Sequence, residues 1–328
     1  MIRRASALVV AVLLAAAAIV VRAGAAAAAS TTRLTTWQWN VAGWQMHRGS
    51  ITDGMTAAAA ASIVNRRADV VVFTELCLQQ YNNIIARLRA AAWPNDSSNF
   101  ARFQTGLAGT CNGQDFGQAI FTRRAPRGAI RTLLPDDPRT EDQYLLCVPL
   151  TGLAVRACGV HITTDARLLP DGTPANTAQL KAALRAVESY DAQGWTVLIG
   201  GDFNAQPDYG RIHPWYSPAA GNGGTGHYRE LDDTDSRCRG YGTWTATGLP
   251  GASPMCSGGS TTCTASVATG CAKVDLEFVR ENHIAGAYFG DVLAIPMSCP
   301  TIRGTPAYPA GSCSDHRVYV ASATVSYG

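Results

Sequence analysis

The sequence has 328 residues, of which 47% are hydrophobic, and this length allows one large α/β domain or two small ones with a packed core. The formal net charge of +3 comes from 27 Lys and Arg against 24 Asp and Glu, and the surplus lies in the first 29 residues, where Arg3, Arg4 and Arg22 occur without any acid. The rest of the chain therefore has 27 − 3 = 24 basic and 24 acidic side chains, a balance that disfavours tight nucleic-acid binding through many phosphates but does not exclude hydrolysis of DNA.

Residues 1–29 have the pattern of a secretory signal peptide: arginines, then an apolar run, then alanine-rich small residues. A retained membrane anchor is the alternative, but Arg22 interrupts the apolar run and the small residues suit a cleavage site. No later stretch of about 18 residues is free of charges and turn signals, so we expect residues 30–328 to form one soluble, secreted domain.

The ten cysteines all follow residue 29, and none forms a C-x-x-C motif or a spacing typical of a zinc site. Their even number indicates disulfides formed in an oxidising compartment. Cys147 and Cys158 flank a Thr-Gly turn, so a hairpin would place them opposite each other. Cys299 with Cys313 is a second, less strongly indicated pair.

The first half of the domain alternates between strand and helix patterns. Trp37, Trp39 and Val41 alternate with polar residues and predict a strand. We then expect a helix over 55–67, a buried strand over 68–76 and a helix over 78–92.

Four strands and hairpins follow in the sequence, over 116–124, 127–134, 143–150 and 153–162. A long helix over 176–193 leads into a strand over 195–201, and a loop rich in Gly, Cys and Thr occupies about 217–272. Later strands are predicted over 273–279, 284–295 and 316–325. Strands outnumber helices, which indicates a single α/β domain with helices covering the sheet faces.

Polar residues typical of metal binding or proton transfer stand where most of these apolar strands begin or end. A single strand-end Asp or Asn is more often a turn residue, and a lone His is more often structural. Several of them on separate strands can, however, converge on one rim of a sheet. They are Asn40, Glu75, His161, Asp202, Asn204, Asp275, Asp315 and His316. Oxygen donors without thiolates suit Mg²⁺, Mn²⁺ or Ca²⁺ rather than zinc or copper.

The motifs WQWNVAGW, VVVFTELC, GVHITTD, LIGGDFNAQPD, KVDLEFV and CSDHRVYV occur in this order over about 280 residues. Together they resemble the endonuclease/exonuclease/phosphatase superfamily with the deoxyribonuclease I-like fold, and the GDFN and SDH elements are specific in combination. The resemblance implies a four-layer α/β/β/α sandwich of two packed mixed β-sheets with helices on the outer faces. It also implies metal-dependent hydrolysis of phosphate esters.

Carried over to this sequence, the resemblance implies that Asn40, Glu75 and Asp315 form the divalent-metal region. The strand GQAIFTRRAP resembles a family strand that makes Arg123 a candidate phosphate contact. An exposed charge beside Arg124 at a turn is an equally good explanation of Arg123.

The resemblance also implies the catalytic groups. Asp202 would orient or deprotonate the attacking water, with Asn204 donating a hydrogen bond beside it. His316 would pair with Asp275 and stabilise the pentacoordinate phosphorane as an imidazolium. His161 is a candidate acid for the leaving oxygen, but the sequence does not identify the Glu or Tyr partner that the family often provides.

We therefore expect a secreted, Mg²⁺-dependent phosphodiesterase of nuclease type, with Mn²⁺ or Ca²⁺ as alternative ions. A sphingomyelinase-type phospholipase C and a small-molecule phosphatase are alternatives on the same site. A catalytically silent binding protein is disfavoured because all the expected site residues are present. The substrate is expected to be a phosphate ester, either nucleic acid or phospholipid. The sequence implies no obligate protein partner and favours a monomer.

Overall fold

The computed structural model describes residues 29–135, 141–164, 166–236, 238–247, 271–293, 299 and 313–328. The helices are α1 (Met55–Arg66), α2 (Leu78–Ala90) and α3 (Ala175–Ala192). The strands of the first half are β1 (Ser30–Asn40), β2 (Val70–Cys77), β3 (Ala101–Cys111), β4 (Gln114–Thr122), β5 (Ile130–Leu133), β6 (Tyr144–Pro149) and β7 (Val155–His161). Those of the second half are β8 (Thr196–Asp202), β9 (Tyr228–Glu230), β10 (Ala246–Thr247), β11 (Cys271–Ala272), β12 (Asp275–Arg280), β13 (Ile284–Leu293) and β14 (Val318–Tyr327).

Two six-stranded mixed sheets form the centre of the fold. The first has the strand order β13-β14-β1-β2-β4-β3, and the second has the order β5-β6-β7-β8-β12-β9. In each sheet a single parallel pair, β1 with β2 or β7 with β8, is flanked by antiparallel strands. Each parallel pair is joined by a crossover that contains a helix, α1 or α3, as parallel pairing requires.

The buried apolar residues form three main layers. One lies between the first sheet and helices α1 and α2, a second lies between the second sheet and α3, and a third lies between the two sheets. Val72 and Leu198, for example, come from different sheets and belong to the same central cluster. The architecture is therefore the predicted α/β/β/α sandwich.

The helices form where the sequence combines high helix propensity with one apolar face. Helix α1 is rich in alanine and buries Met55, Ala59 and Ile63, which are spaced by four residues. It ends where Arg67 adopts a left-handed conformation with φ of 53°. Among the described residues, no helix has both the length and the apolar composition that a membrane span needs.

Most predicted elements are confirmed, including all three helices. Strand β3 was not predicted, because Gly106 and Gly109 break its alternation of apolar and polar residues. The disulfides Cys147–Cys158 and Cys299–Cys313 are present as predicted. A third disulfide joins Cys77 at the end of β2 to Cys111 at the end of β3. The N-terminal segment 1–28 and residues 248–270 of the predicted 217–272 loop lie outside the described residues.

Two glycines of the LIGGDFN motif are required by close approach of neighbouring groups. A Cβ at Gly200 would overlap Glu277 of the same sheet and Gln38 of the facing sheet. Gly201 has φ of 139°, and a Cβ there would overlap the carbonyl oxygen of Val160. Neighbouring groups therefore pack directly against the backbone that leads to Asp202, which is possible only because both residues are glycine.

We expect Gly201→Ala to lower the free energy of unfolding by about 2–4 kcal/mol, since the new Cβ meets both an unfavourable φ and a backbone atom. Gly210→Ala is the matched control, because a Cβ there meets no atom within 4 Å; its effect should stay within about 0.5 kcal/mol. Urea denaturation of both variants measures the difference, and equal stabilities would contradict the close approach at Gly201.

Candidate active site

The strand ends bring the predicted polar residues together at one edge of the sandwich. The parallel strands β1 and β2 end in this region with Asn40 and Glu75, and β7 and β8 end there with His161 and Asp202. Strand β12 is antiparallel to β8, so its first residue, Asp275, lies directly beside Asp202. The last two of the eight residues, Asp315 and His316, immediately precede β14.

The side-chain amide of Asn40 links the two sheets. Its Nδ2 donates hydrogen bonds to Glu75 Oε1 at 2.9 Å and to Asp202 Oδ2 at 3.1 Å. Its Oδ1 accepts a hydrogen bond from the backbone N–H of Ala42 at 3.1 Å. Because the nitrogen must donate and the oxygen must accept, these hydrogen bonds fix the orientation of the amide. Asn40 therefore holds two carboxylates with its nitrogen, whereas the sequence predicted it as part of the metal region.

Asp202 lies at the centre of the cluster and is almost fully buried. Its Oδ2 is 3.9 Å from His161 Nε2 and 3.8 Å from His316 Nε2. Its Oδ1 accepts the backbone N–H of Asn204 at 2.9 Å. Burial and the nearby Asp275 carboxylate raise the pKa of Asp202 to about 6, although both histidines oppose this shift.

His316 is held by a short contact to Asp275. The distance from His316 Nδ1 to Asp275 Oδ2 is 2.7 Å, which leaves Nε2 directed toward Asp202. Burial opposes protonation of the ring, but Asp275, Asp315 and Asp202 outweigh it and raise the pKa of His316 well above its usual value. The three carboxylates therefore favour the charged form of the imidazole.

His161 faces two carboxylates across the cluster, with Nε2 at 3.9 Å from both Glu75 Oε1 and Asp202 Oδ2. Burial lowers its pKa, but the charges of Asp202, Glu141 and Glu75 outweigh this effect and raise it. Sequence reasoning missed Glu141, which also lines a small cavity beside His161. The acid lies just before β6 in an irregular segment, so no strand-end pattern indicated it.

Asn204 and Glu75 both adopt the left-handed backbone conformation that is uncommon outside glycine, with φ of 45° and 55°. The Nδ2 of Asn204 donates to the carbonyl of Ile162 at 2.7 Å, which ties the end of β8 to the end of β7. At Glu75 the pairing of β2 with β4 shifts register between Phe73 and Leu76. Such strained positions often occur where a side chain must be aimed into a site.

The site has an excess of negative charge. Four carboxylates, Glu75, Asp202, Asp275 and Asp315, face two histidines, so the net charge is −2 even with both imidazoles protonated. Burial raises the pKa of Asp315 as well; the charges of Glu75 and Asp275 add to this shift, and His316 opposes it. A divalent cation with oxygen ligands fits the excess of negative charge in the site.

Among the described residues there are two groups of three side chains that could hold a metal ion. Within each group, the potential ligand atoms all lie within 4.8 Å of one another. In the group of Asp202, Asp275 and His316, Nδ1 of the imidazole is already bonded to Asp275 at 2.7 Å. In the other group, the sulfur of Cys299 is part of a disulfide. Glu75 and Asp315, which the sequence predicts as metal ligands, belong to neither group.

Arg123 is not brought to this edge. Strand β4 runs antiparallel to β2, and its last residue, Thr122, pairs with Val70 at the start of β2. Glu75 lies five residues further along β2, roughly 17 Å away at the rise of a strand. Arg123 is exposed at the opposite end of the sheet, so its position does not support the predicted phosphate contact.

The sequence profile of the Endonuclease/Exonuclease/phosphatase family matches residues 37–295. No curated protein matches the sequence significantly. The fold is similar to truncated TDP2 from Caenorhabditis elegans, with 14% identity and a TM-score of 0.54 over 89% of this chain and 97% of that chain.

Two further solved structures are similar. D. rerio TDP2 complexed with single-strand DNA product is 15% identical, with a TM-score of 0.53 over 90% of this chain and 99% of that chain. A family protein from Bacteroides thetaiotaomicron is 13% identical, with a TM-score of 0.56 over 90% of this chain and 98% of that chain. At these identities the likeness shows the fold alone.

In metal-free protein we expect Asp275→Asn to lower the pKa of His316, because the main group that favours the charged ring is removed while burial remains. A ¹⁵N NMR titration of the imidazole measures this change. The raised pKa of His316 stabilises the folded protein at pH values below that pKa. The wild type should therefore lose this stabilisation as the pH rises through the pKa of His316, and the variant should lose it at a lower pH. Asp291→Asn, on exposed β13, is the control and should leave the titration unchanged.

Proposed function

Because the chain belongs to the endonuclease/exonuclease/phosphatase family, we propose that it is a divalent-metal-dependent phosphodiesterase of nuclease type. The observation that carries the proposal is the convergence of Asp202, His316 and His161 around one space at the edge of both sheets, with Nε2 of each histidine within 3.9 Å of the same carboxylate oxygen. Asp202 can act as a base and the two imidazoles as acids within one small space, which is what hydrolysis of a phosphate ester needs.

Glu75 and Asp315 are the proposed ligands of the cation, with Mg²⁺ the proposed ion and Mn²⁺ or Ca²⁺ as alternatives. When bound, the cation supplies positive charge that polarises a phosphoryl oxygen. Asn40 orients the Glu75 carboxylate through its amide nitrogen. The spare negative charge of the site supports this assignment.

Asp202 is the proposed base. The pKa of about 6 leaves its carboxylate ionised at neutral pH yet close enough to accept a proton from a water molecule. The backbone N–H of Asn204 fixes Oδ1 of Asp202, and Oδ2, which accepts one hydrogen bond from Asn40, has a second lone pair to orient the water toward phosphorus. Asn204 itself acts mainly by holding the loop, since its side chain donates to Ile162.

The histidines act on the phosphate. His316, kept charged by Asp275, donates through Nε2 to a phosphoryl oxygen as negative charge develops there. His161, whose pKa is raised by carboxylates that include Glu141, is the proposed proton donor to the leaving oxygen. Glu141 is the proposed partner for this histidine, which the sequence alone does not identify.

We also propose that residues 1–29 are a signal peptide, that the enzyme is secreted and that it acts as a monomer. The three disulfides among the described residues support an oxidising location. We propose a nucleic-acid substrate rather than a phospholipid, since a protein of the same fold, D. rerio TDP2, has been solved in complex with single-strand DNA product.

A substrate panel tests the activity. Purified protein lacking residues 1–29 should hydrolyse single-stranded DNA, and a dinucleotide, in Mg²⁺ but not in chelator, and Asp202→Asn should reduce kcat at least 100-fold with unchanged folding. RNA, sphingomyelin and an aryl phosphodiester complete the panel. Cleavage of sphingomyelin alone, or of no phosphodiester at all, would contradict a nuclease-type enzyme.

We expect Glu75→Gln to raise the Mg²⁺ concentration needed for half-maximal activity at least ten-fold, because one anionic ligand is lost while shape is kept. Glu281→Gln, on the exposed turn before β13, is the control and should leave the metal titration unchanged. A metal dependence of Glu75→Gln identical to that of the wild type would remove Glu75 from the ligand set.

A further inference from the structure

An open cleft of about 490 Å³ lies beside the catalytic edge, between the start of α3 and the segment that follows Asn204. Its lining includes Asn176 and Thr177 from the first turn of α3, and Tyr209 and Arg211 from the other side. The proposed mechanism uses none of these four residues. Their chemistry is nevertheless that of a site for an anion.

Arg211 is fixed against the catalytic segment. One terminal nitrogen, Nη2, donates to the backbone carbonyl of Asn204 at 2.6 Å, two residues beyond Asp202. The guanidinium carbon also lies 4.5 Å from the centre of the Tyr209 ring. The group is therefore held next to the site at little further cost in conformational entropy on binding.

This guanidinium has no counter-ion in the described part of the chain. No carboxylate there lies within 4.0 Å of it, and Asp208, which lines the same cleft, is exposed and makes no ion pair with it. Its Nε is buried without any hydrogen-bond partner. A partly buried cation without a compensating anion is unfavourable, so an anion from a ligand would stabilise it.

Asn176 gives independent support from the opposite wall. The residue is only 5% exposed and lines the cleft, and its side-chain oxygen accepts a hydrogen bond from the Thr177 hydroxyl at 3.2 Å, which leaves the amide nitrogen as its side-chain donor for a ligand. The backbone N–H groups of Asn176 and Thr177, at the start of the 18-residue helix α3, also lack partners in the described chain. Donors from both walls thus line a single cleft.

We propose that this cleft binds a second phosphate group of the substrate, next to the phosphodiester that is cleaved. The inference rests on the proposed function and makes it more specific: the preferred substrate carries at least two phosphates. One fixed arginine is also compatible with the balance of 24 basic and 24 acidic side chains, because it adds a single phosphate contact without a basic surface.

Matched dinucleotides test the proposal: thymidylyl-thymidine without a terminal phosphate, with a 5′-phosphate, and with a 3′-phosphate. In the wild type we expect one phosphorylated form to have a kcat/KM at least ten-fold above the unphosphorylated form, mainly through KM. Which end gives the advantage identifies the ester arm that reaches Arg211. Equal kcat/KM values for all three would overturn the proposal, whereas no hydrolysis of any would contradict the proposed function instead.

Two variants connect the preference to the cleft. Arg211→Gln and the nearly isosteric Asn176→Asp should each reduce the preference to about one. The preference compares two substrates of the same variant, so a change in overall rate from loss of the contact between Arg211 and Asn204 cancels in it. Arg185→Gln, on the exposed face of α3, removes the same charge and should keep the preference. A preference that survives in both cleft variants would overturn the assignment.

Binding gives a readout that does not require activity. In metal-free wild-type protein, thymidine 3′,5′-bisphosphate should shift the side-chain amide NMR signals of Asn176, and thymidine alone should not. Absence of a shift at millimolar bisphosphate would overturn the proposal even if the enzyme cleaves other esters.

Discussion

Mutual repulsion of buried carboxylates is the constraint on which the rest of this structure depends. Asp202 and Asp275 are adjacent on paired strands, where two like charges out of water are unfavourable unless other groups compensate them. The surroundings provide this compensation in separate ways: an amide nitrogen from Asn40, a backbone N–H at Asn204 and a protonated ring at His316. The compensation is incomplete, and the remaining negative charge, which is unfavourable for the protein alone, makes the site receptive to a cation and a polarised substrate.

Strand direction explains both what the sequence predicted well and where it failed. Glu75 and Asp202 were identifiable because each follows a buried apolar run, and parallel strands bring such ends to one edge. Arg123 follows an equally apolar run, but β4 runs the other way, and strand direction within a sheet is not encoded in local periodicity. The proximity of Glu141 to His161 and the bond from the Asn40 amide to Asp202 bring together segments that are distant in sequence, which local sequence patterns do not reveal.

The two sheets contribute different parts of the chemistry. The first, through Glu75 and the segment leading into β14, supplies the proposed cation ligands and His316, while the second supplies Asp202, Asp275 and His161. Function therefore requires that the sheets keep their relative position to within a fraction of an ångström. The packing that fixes this position is dense beneath the site, where Gly200 leaves room for Gln38 and Glu277 between the sheets. Gln38 also donates across the gap to the carbonyl of Leu276 at 3.0 Å, so a polar bond reinforces the apolar contact.

The pairing of β1 with β14 has a consequence for how the chain can be handled. Ser30 pairs with Tyr327, ten residues along the strand from Asn40, or roughly 33 Å at the rise of an extended chain. Both ends of the domain thus meet side by side at the edge remote from the chemistry. A short linker could join them and close a continuous hairpin, so the protein is a suitable scaffold for circular permutation. For the same reason, a fusion partner or a solid support attached at either end would leave the mouth of the site open.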